Sequence, residues 1–429
     1  MGTVYLILKT IVAVLSCVKS SALSSSQGNL VVRCNESEKS ALVKFREDCS
    51  NSMDRFSSWI TEEDCCNWRG VMCSNKTGQW HVTMLDLRCH GPAESSQGDQ
   101  VSDSLLDLPY LSYLDLSSNN FLQGQVPEFI GSLKNLEYLN LSNANFRGMI
   151  PDHLGNLSQL QYLDLSGNEY ALRANKLEWL HGLSSLKVLE LGGVDLSLVV
   201  NWLDAVNMLP SLVKLGFFAC ELNTLPLRPS AMNFTQLQIL DLSFNKFNSP
   251  MPYWVFNISQ SLSYINLSSN NLGGKLPDFS SKLNLSVLDM SKNSFVDPLP
   301  HFSLSMMSLI LAENMITGTI SPICESLVVN NSLSYLDLSL NALSGSIPDC
   351  WTRGNNLVVL NLAYNDISGM IPNSTGHLVH LKALILGINV LSGELPASLK
   401  YLTNYMSWIL DTIIYLAKYQ NGLGKIWEI

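Results

Sequence analysis

Charge is scarce in this 429-residue chain, and what there is leans negative. With 14% charged and 46% hydrophobic residues, the composition is that of a folded protein. A formal net charge of -10, without clustered Lys and Arg, argues against a nucleic-acid partner, because neutralising phosphates takes basic patches. Long apolar runs are scarce as well. Beyond the N-terminal segment no stretch reaches the roughly 20 apolar residues a bilayer span needs, so no membrane span is expected in this chain. Catalytic motifs are missing too: there is no G-x-x-x-x-G-K-[ST], H-E-x-x-H or G-x-S-x-G, and no kinase set. His81, His90, His153, His181, His301, His377 and His380 are scattered without ligand spacing on one element. The expectation is a chain with no enzymatic activity, no cofactor and no metal.

What is present points to the secretory pathway. "VYLILKTIVAVLSCV" is followed by small residues, with Ser20 and Ala22 spaced like a signal-peptidase site, so residues 1–22 read as a signal peptide. A buried first helix is the alternative, since Lys9 interrupts the run. Ten cysteines suit an oxidising compartment, although Cys17 would leave with the leader. In "DCCNWRGVMC" the adjacent Cys65 and Cys66 can face different partners. The expected pairs are Cys34 with Cys65 and Cys66 with Cys73, closing a long and a short loop around Trp59 and Trp68. A zinc site is the other reading, but C-C-x6-C lacks paired C-x2-C knuckles. The partners of Cys49, Cys89 and Cys220 stay open. Ten Asn-X-Ser/Thr sequons, at Asn35, Asn75, Asn140, Asn156, Asn233, Asn257, Asn266, Asn284, Asn330 and Asn373, fit N-glycosylation or arise by chance in an Asn- and Ser-rich chain.

An internal repeat decides the fold. "LSYLDLSSNNF" at Leu111 recurs at Leu136, Leu160, Leu186, Leu212, Leu237, Leu262, Leu285, Met306, Leu333, Leu357 and Leu381. Its consensus is L-x-x-L-x-L-x-x-N-x-x, with many copies ending in G-x-I-P, and about twelve copies fill 105–404. The L-x-L pair has the period of a strand, turning leucines inward and their neighbours outward. Stacked coils then give an α/β repeat solenoid with a concave parallel β-sheet. At each bend a buried Asn can both donate and accept, as expected of Asn119, Asn168, Asn245, Asn270, Asn293, Asn314, Asn341, Asn365 and Asn389. Gly and Pro set an extended segment on the flank. Only another coil can cover the last one, so an end coil needs a cap, and residues 34–90 supply it on the N-terminal side.

The spacing from "CNESEKSALVKFRED" into "SSWITEEDCCNWRGVMC", followed by L-x-G-x-I-P copies, resembles plant leucine-rich-repeat extracellular domains. The copies "LHGLSSLKVLELGGVDLS", "NWLDAVNMLPSLVKL" and "MNFTQLQILDLSFNKFNSPMPYWVFNIS" resemble plant receptor-like proteins of the fungal-xylanase receptor type. That resemblance implies a leucine-rich-repeat superhelix that recognises a microbial or host protein or peptide at the plant cell surface, with a possible receptor-kinase co-receptor. A secreted inhibitor resembling polygalacturonase-inhibiting proteins is the second reading. The full-length gene product is expected at the plasma membrane and this chain outside the cell or retained.

Two columns of the sheet are candidates for function. Asp115, Asp164, Glu190, Asp241, Asp289 and Asp337 share one strand position; with Asn140, Asn266 and Asn361 they read as a structural ladder rather than paired catalytic carboxylates. Tyr113, Tyr138, Tyr162, Tyr264 and Tyr335 form a second column suited to ligand contact, with Phe218, Phe244 and Tyr364 as exposed apolar candidates. Three local expectations follow: a Cys324–Cys350 disulfide between neighbouring coils, a short convex helix within "NWLDAVNMLP" where Val194 replaces the ladder Asn, and Cys220 buried at its own ladder position. Residues 405–429 break the pattern. Read one frame over, with permitted codon choices, Met406–Ile429 yields "VLDLGYNNLSGEIPKWIGKNLGN", so this stretch is expected to be an out-of-frame repeat that leaves the Leu381 coil uncovered.

Overall fold

The computed structural model describes residues 34–402 except 49–55, 77, 89–99, 169–170, 227–231, 283, 328–331 and 354–355. The expected leader and aberrant tail lie outside the described residues, as do Cys49, Cys89 and Asn330. Two residues after each repeat start a three-residue strand forms, from Tyr113–Asp115 to Ala383–Ile385. These twelve strands and two cap strands make one 14-stranded sheet. Register is maintained coil by coil: Tyr113 faces Tyr138, Leu114 faces Leu139 and Asp115 faces Asn140. The alternation expected of L-x-L is the cause. Leu111, Leu114 and Leu116 are 1% exposed or less, and so are their counterparts at Leu186, Leu189 and Leu191. Each such burial contributes at most roughly 1.5–3 kcal/mol.

The asparagine ladder holds the bends. Asn168 Nδ2 donates to Leu141 O (3.1 Å) and Leu165 O (2.8 Å), while its Oδ1 accepts from Ala144 N and Phe146 N, both at 3.0 Å. One side chain thereby joins two coils and satisfies four backbone groups. Asn119, Asn245, Asn270, Asn293, Asn314, Asn341, Asn365 and Asn389 bond the same class of carbonyls. The irregular copies solve the bend differently. Val194 is buried and apolar, and Cys220, a buried free thiol, donates from Sγ to Leu191 O at 3.2 Å. Burial pushes that thiol's pKa up, so it stays a donor.

On the flank, G-x-I-P segments pair into short parallel sheets, the longest joining Thr317–Gly318, Ala342–Ser346, Asp366–Gly369 and Val390–Leu391. Gly345 and Gly369 sit at φ 78°, a left-handed conformation that favours glycine. The "NWLDAVNMLP" segment forms the expected helix, Trp202–Val206, ending before Pro210, and Trp202 Nε1 donates to Thr224 O at 3.0 Å.

The cap closes the N-terminal end of the repeats. Val71–Lys76 and Gln79–Asp86 form an antiparallel hairpin, and the second of these pairs in parallel with Tyr113–Asp115. Helix Glu36–Asp48 buries Leu42 and Phe45 and also Glu38, which accepts from Val82 N (2.7 Å) and meets His81 Nδ1 at 2.6 Å. Trp59 and Trp68 stack at 5.2 Å and are buried. Cys34–Cys65 and Cys66–Cys73 are bonded, with Cα separations of 5.5 and 5.4 Å. Cys324–Cys350 joins neighbouring coils at 5.7 Å. No helix among the described residues is long and apolar enough to cross a membrane.

Candidate binding face

The strands present two columns of side chains on the concave side. In one, register runs Asp86, Asp115, Asn140, Asp164, Glu190, Gly216, Asp241, Asn266, Asp289, Ile310, Asp337, Asn361, Ile385. Each Asp or Asn turns its Oδ1 back to the backbone two residues on, as Asp115 does to Ser117 N (3.0 Å) and Asp241 to Ser243 N (3.0 Å). The second oxygen is left for the next coil. Asn140 Nδ2 reaches Asp115 Oδ2 at 3.4 Å, Asn266 reaches Asp241 at 3.4 Å, and Asn361 reaches Asp337 at 3.1 Å. The alternation interposes an amide donor between carboxylates that would otherwise repel.

Where two acids do adjoin, a cation is supplied. Arg88 Nη2 lies 2.6 Å from Asp86 Oδ2, and its Nε lies 3.6 Å from Asp115. Lys214 pairs with Glu190, which lies beside Asp164. Glu190 is the long exception in a column of short acids, and it leans into the space left by Gly216, where a Cβ would meet Glu190 Oε2. Burial pushes the Glu190 pKa up to about 7; Asp164 and Asp241 add to the rise and Lys214 opposes it. Burial likewise lifts the carboxyls of Asp115, Asp164, Asp241 and Asp289, against hydrogen bonds from Ser117, Ser166, Ser243 and Ser291 that lower them. Neither Lys214 nor the Glu190–Gly216 fit stood out in the sequence; the missing acid at Gly216 was the available signal.

The tyrosine column is stacked along the sheet and tied to the carboxylate ladder. Tyr113, Tyr138 and Tyr162 stack at 4.1 and 4.3 Å with near-parallel rings. Their hydroxyls donate to Asp115 Oδ2 (3.4 and 3.3 Å) and Asp164 Oδ2 (3.3 Å). Burial raises all three phenol pKa values, so they remain donors, and half-exposed ring edges are what they offer a ligand. Tyr264 is a correction: at 6% exposure it is core, packed among its neighbours. Phe218 is another, half-buried with its ring over Gly192. Tyr335 is half-buried, whereas Phe244 and Tyr364 are 61% and 50% exposed.

Phe244 and Tyr364 belong to a third column, one residue beyond Phe218's position, where the backbone is left-handed at φ 54° and 57°. Leu340 (φ 54°) and Ile388 (φ 54°) join them, 43% and 52% exposed, and sequence reasoning missed both. Large and β-branched residues are costly at such backbone angles, and here they stand in the open.

Among the sequons, Asn75, Asn156, Asn233, Asn284 and Asn373 are exposed and Asn35 and Asn266 half-buried. Asn140 is a correction. It is buried with its amide committed to the ladder, and a glycan does not fit there in the folded sheet. The Asn257 side chain lies outside what is described.

Comparison with known proteins matches a leucine-rich repeat region over residues 80–297, a leucine rich repeat N-terminal domain over 35–74, and Leucine Rich Repeats over 332–353 and 356–378. Receptor-like protein EIX1 of Solanum lycopersicum is 34% identical over 262 residues, covering 57% of this chain and 25% of that protein. The chain thus spans about a quarter of that relative's length. Polygalacturonase inhibitor 1 of Phaseolus vulgaris is 37% identical over 93 residues, 21% of this chain and 26% of the inhibitor. Among solved structures, the PEPR1–AtPEP1 crystal structure aligns with TM-score 0.67 at 28% identity, over 85% of this chain and 50% of that one. Repeat, ladder, cap disulfides and these matches agree: the chain belongs to the leucine-rich-repeat family.

Proposed function

We propose that the chain is the extracellular recognition part of a plant cell-surface immune receptor-like protein, binding a microbial or host protein or peptide on its repeat surface without catalysis. The 262-residue similarity to a tomato receptor-like protein carries the reading. The similarity to the PEPR1–AtPEP1 structure supports a peptide-class ligand, and a receptor-kinase co-receptor is the further partner this reading implies. The ladder carboxylates are held by backbone and amide donors in a fixed row, a surface that recognises rather than reacts. The exposed sequons would carry glycans in the secretory pathway. A fungal culture filtrate passed over the immobilised, oxidised chain should leave a retained protein or peptide, and Tyr138→Ala with Leu340→Asp should abolish retention. Retention unchanged by concave-face substitutions would overturn the reading.

The similarity to a polygalacturonase inhibitor favours a second reading, a secreted inhibitor of a microbial wall hydrolase. Adding the purified chain to fungal polygalacturonase separates the two: a dose-dependent fall in activity supports the inhibitor, and unchanged activity supports the receptor.

A further inference from the structure

Strand Ser308–Ile310 reverses the chemistry of its neighbours. It places a small hydroxyl residue where the flanking columns carry Val287 and Tyr335, and an apolar one between the carboxylates of Asp289 and Asp337. The ladder's usual amide is therefore missing at Ile310, and Asp289 receives nothing from that side; its Oδ1 is held by Ser291 N (3.0 Å) and Ser291 Oγ (2.7 Å). Lys292, the nearest base in sequence, is turned to Glu313 at 3.5 Å. Ser308 is 2% exposed and its Oγ has no hydrogen-bond partner in the structure, although its strand position aims it at the same face. Asp337 Oδ2 accepts from Asn361 Nδ2 (3.1 Å), so the acceptor left without its amide is the second oxygen of Asp289. Neither carboxylate has an ion pair among the described residues, and the unsatisfied Ser308 hydroxyl lies on the strand between them.

Resting on the recognition reading above, we propose that this niche is a subsite for one arginine side chain of the ligand, whose guanidinium bridges Asp289 and Asp337 over Ile310 against the Tyr335 ring. Geometry favours one cation. The two carboxylates stand on strands two coils apart, on either side of Ile310. A guanidinium, whose donors fork in different directions, reaches further between them than the single nitrogen of an ammonium. Ile310 and Met307, 38% exposed, give the alkyl stem an apolar floor, and Tyr335 gives the planar head a face to stack on. Burial lifts the Asp289 carboxyl, which also means that its ionised form gains when a cation arrives.

The test uses the full chain with its disulfides formed, panned against a displayed library of random peptides, with binders synthesised and titrated by calorimetry. The expected result is arginine enrichment, at least tenfold weaker binding when that arginine becomes lysine, and the same loss on Asp289→Asn or Asp337→Asn. Ile310→Lys supplies the cation from within and should close the subsite while leaving the thermal midpoint in place, so a loss there cannot be blamed on misfolding. Concave-face binders indifferent to arginine and to both Asp substitutions overturn the subsite and leave the recognition reading standing. A library yielding no binder sensitive to any concave substitution overturns both.

Discussion

A single glutamate among aspartates gives one coil its own pH response. Glu190's carboxyl, at about 7, lies well above the 4.5 of a free glutamate, chiefly through burial. The folded chain therefore holds a proton that the unfolded chain has released between those values, and stability falls as pH rises through that window. Asp115, Asp164, Asp241 and Asp289 are shifted in the same direction, so the informative quantity is a difference. Urea midpoints at pH 5 and pH 8 should differ less for Glu190→Gln than for the natural chain, by an amount worth roughly 1–3 kcal/mol. The ladder asparagines make the complementary case. Asn168→Ala removes one side chain from four hydrogen bonds and should cost roughly 2–4 kcal/mol. Asn168→Cys should cost less, since Cys220 already fills a bend by thiol donation, and the unfolding midpoints should fall in that order.

At the scale of elements, the Cys324–Cys350 bond ties helix Ile323–Ser326 to the turn Trp351–Arg353 across one coil. Closing a 26-residue interval constrains the unfolded chain by roughly 3–4 kcal/mol in the chain-entropy account. Coils in a solenoid contact only their neighbours, so Cys350→Ser should raise amide exchange locally around residues 306–361 and leave the first coils protected. A uniform rise across the chain would contradict that locality. The equivalence of the two cysteines was legible in "SPIC" and "IPDC", because each lies two residues after the proline of its flank segment. The helix Trp202–Val206 was legible too, from apolar spacing and the proline behind it. The exact fit of Glu190 over Gly216 and Phe218 over Gly192 was not, because each crosses between coils and depends on which way a side chain leans.

For the whole molecule, the concave face changes character along its length. The first coils carry stacked tyrosines, carboxylates and their two cations; the last carry Val359, Ala383, Ile385 and the strip Leu340, Tyr364 and Ile388. The strip occupies left-handed backbone positions where Asn or Gly would sit more comfortably. Replacing Leu340, Tyr364 and Ile388 together by Asn should raise the thermal midpoint by several degrees, since each site relieves about 1 kcal/mol of strain. The same triple change should weaken capture of a ligand, the trade expected where strain is kept for function. A lower midpoint with capture intact would show the strip to be structural.

The sequence by itself determined the coil, the inward leucines, the asparagine bends and the order of the two columns, because each of these is local and repeats with the chain. Periodicity is enough to place such residues on a face. Only the tertiary structure decided which face residues remain available. Tyr264 is covered while Tyr364 is open, Asn140 has its amide spent, and Asp289 lacks the donor its counterparts receive, all through neighbours roughly one coil away in sequence but in contact across the sheet. Burial and hydrogen-bond supply are properties of adjacent coils taken together, and no single repeat encodes them.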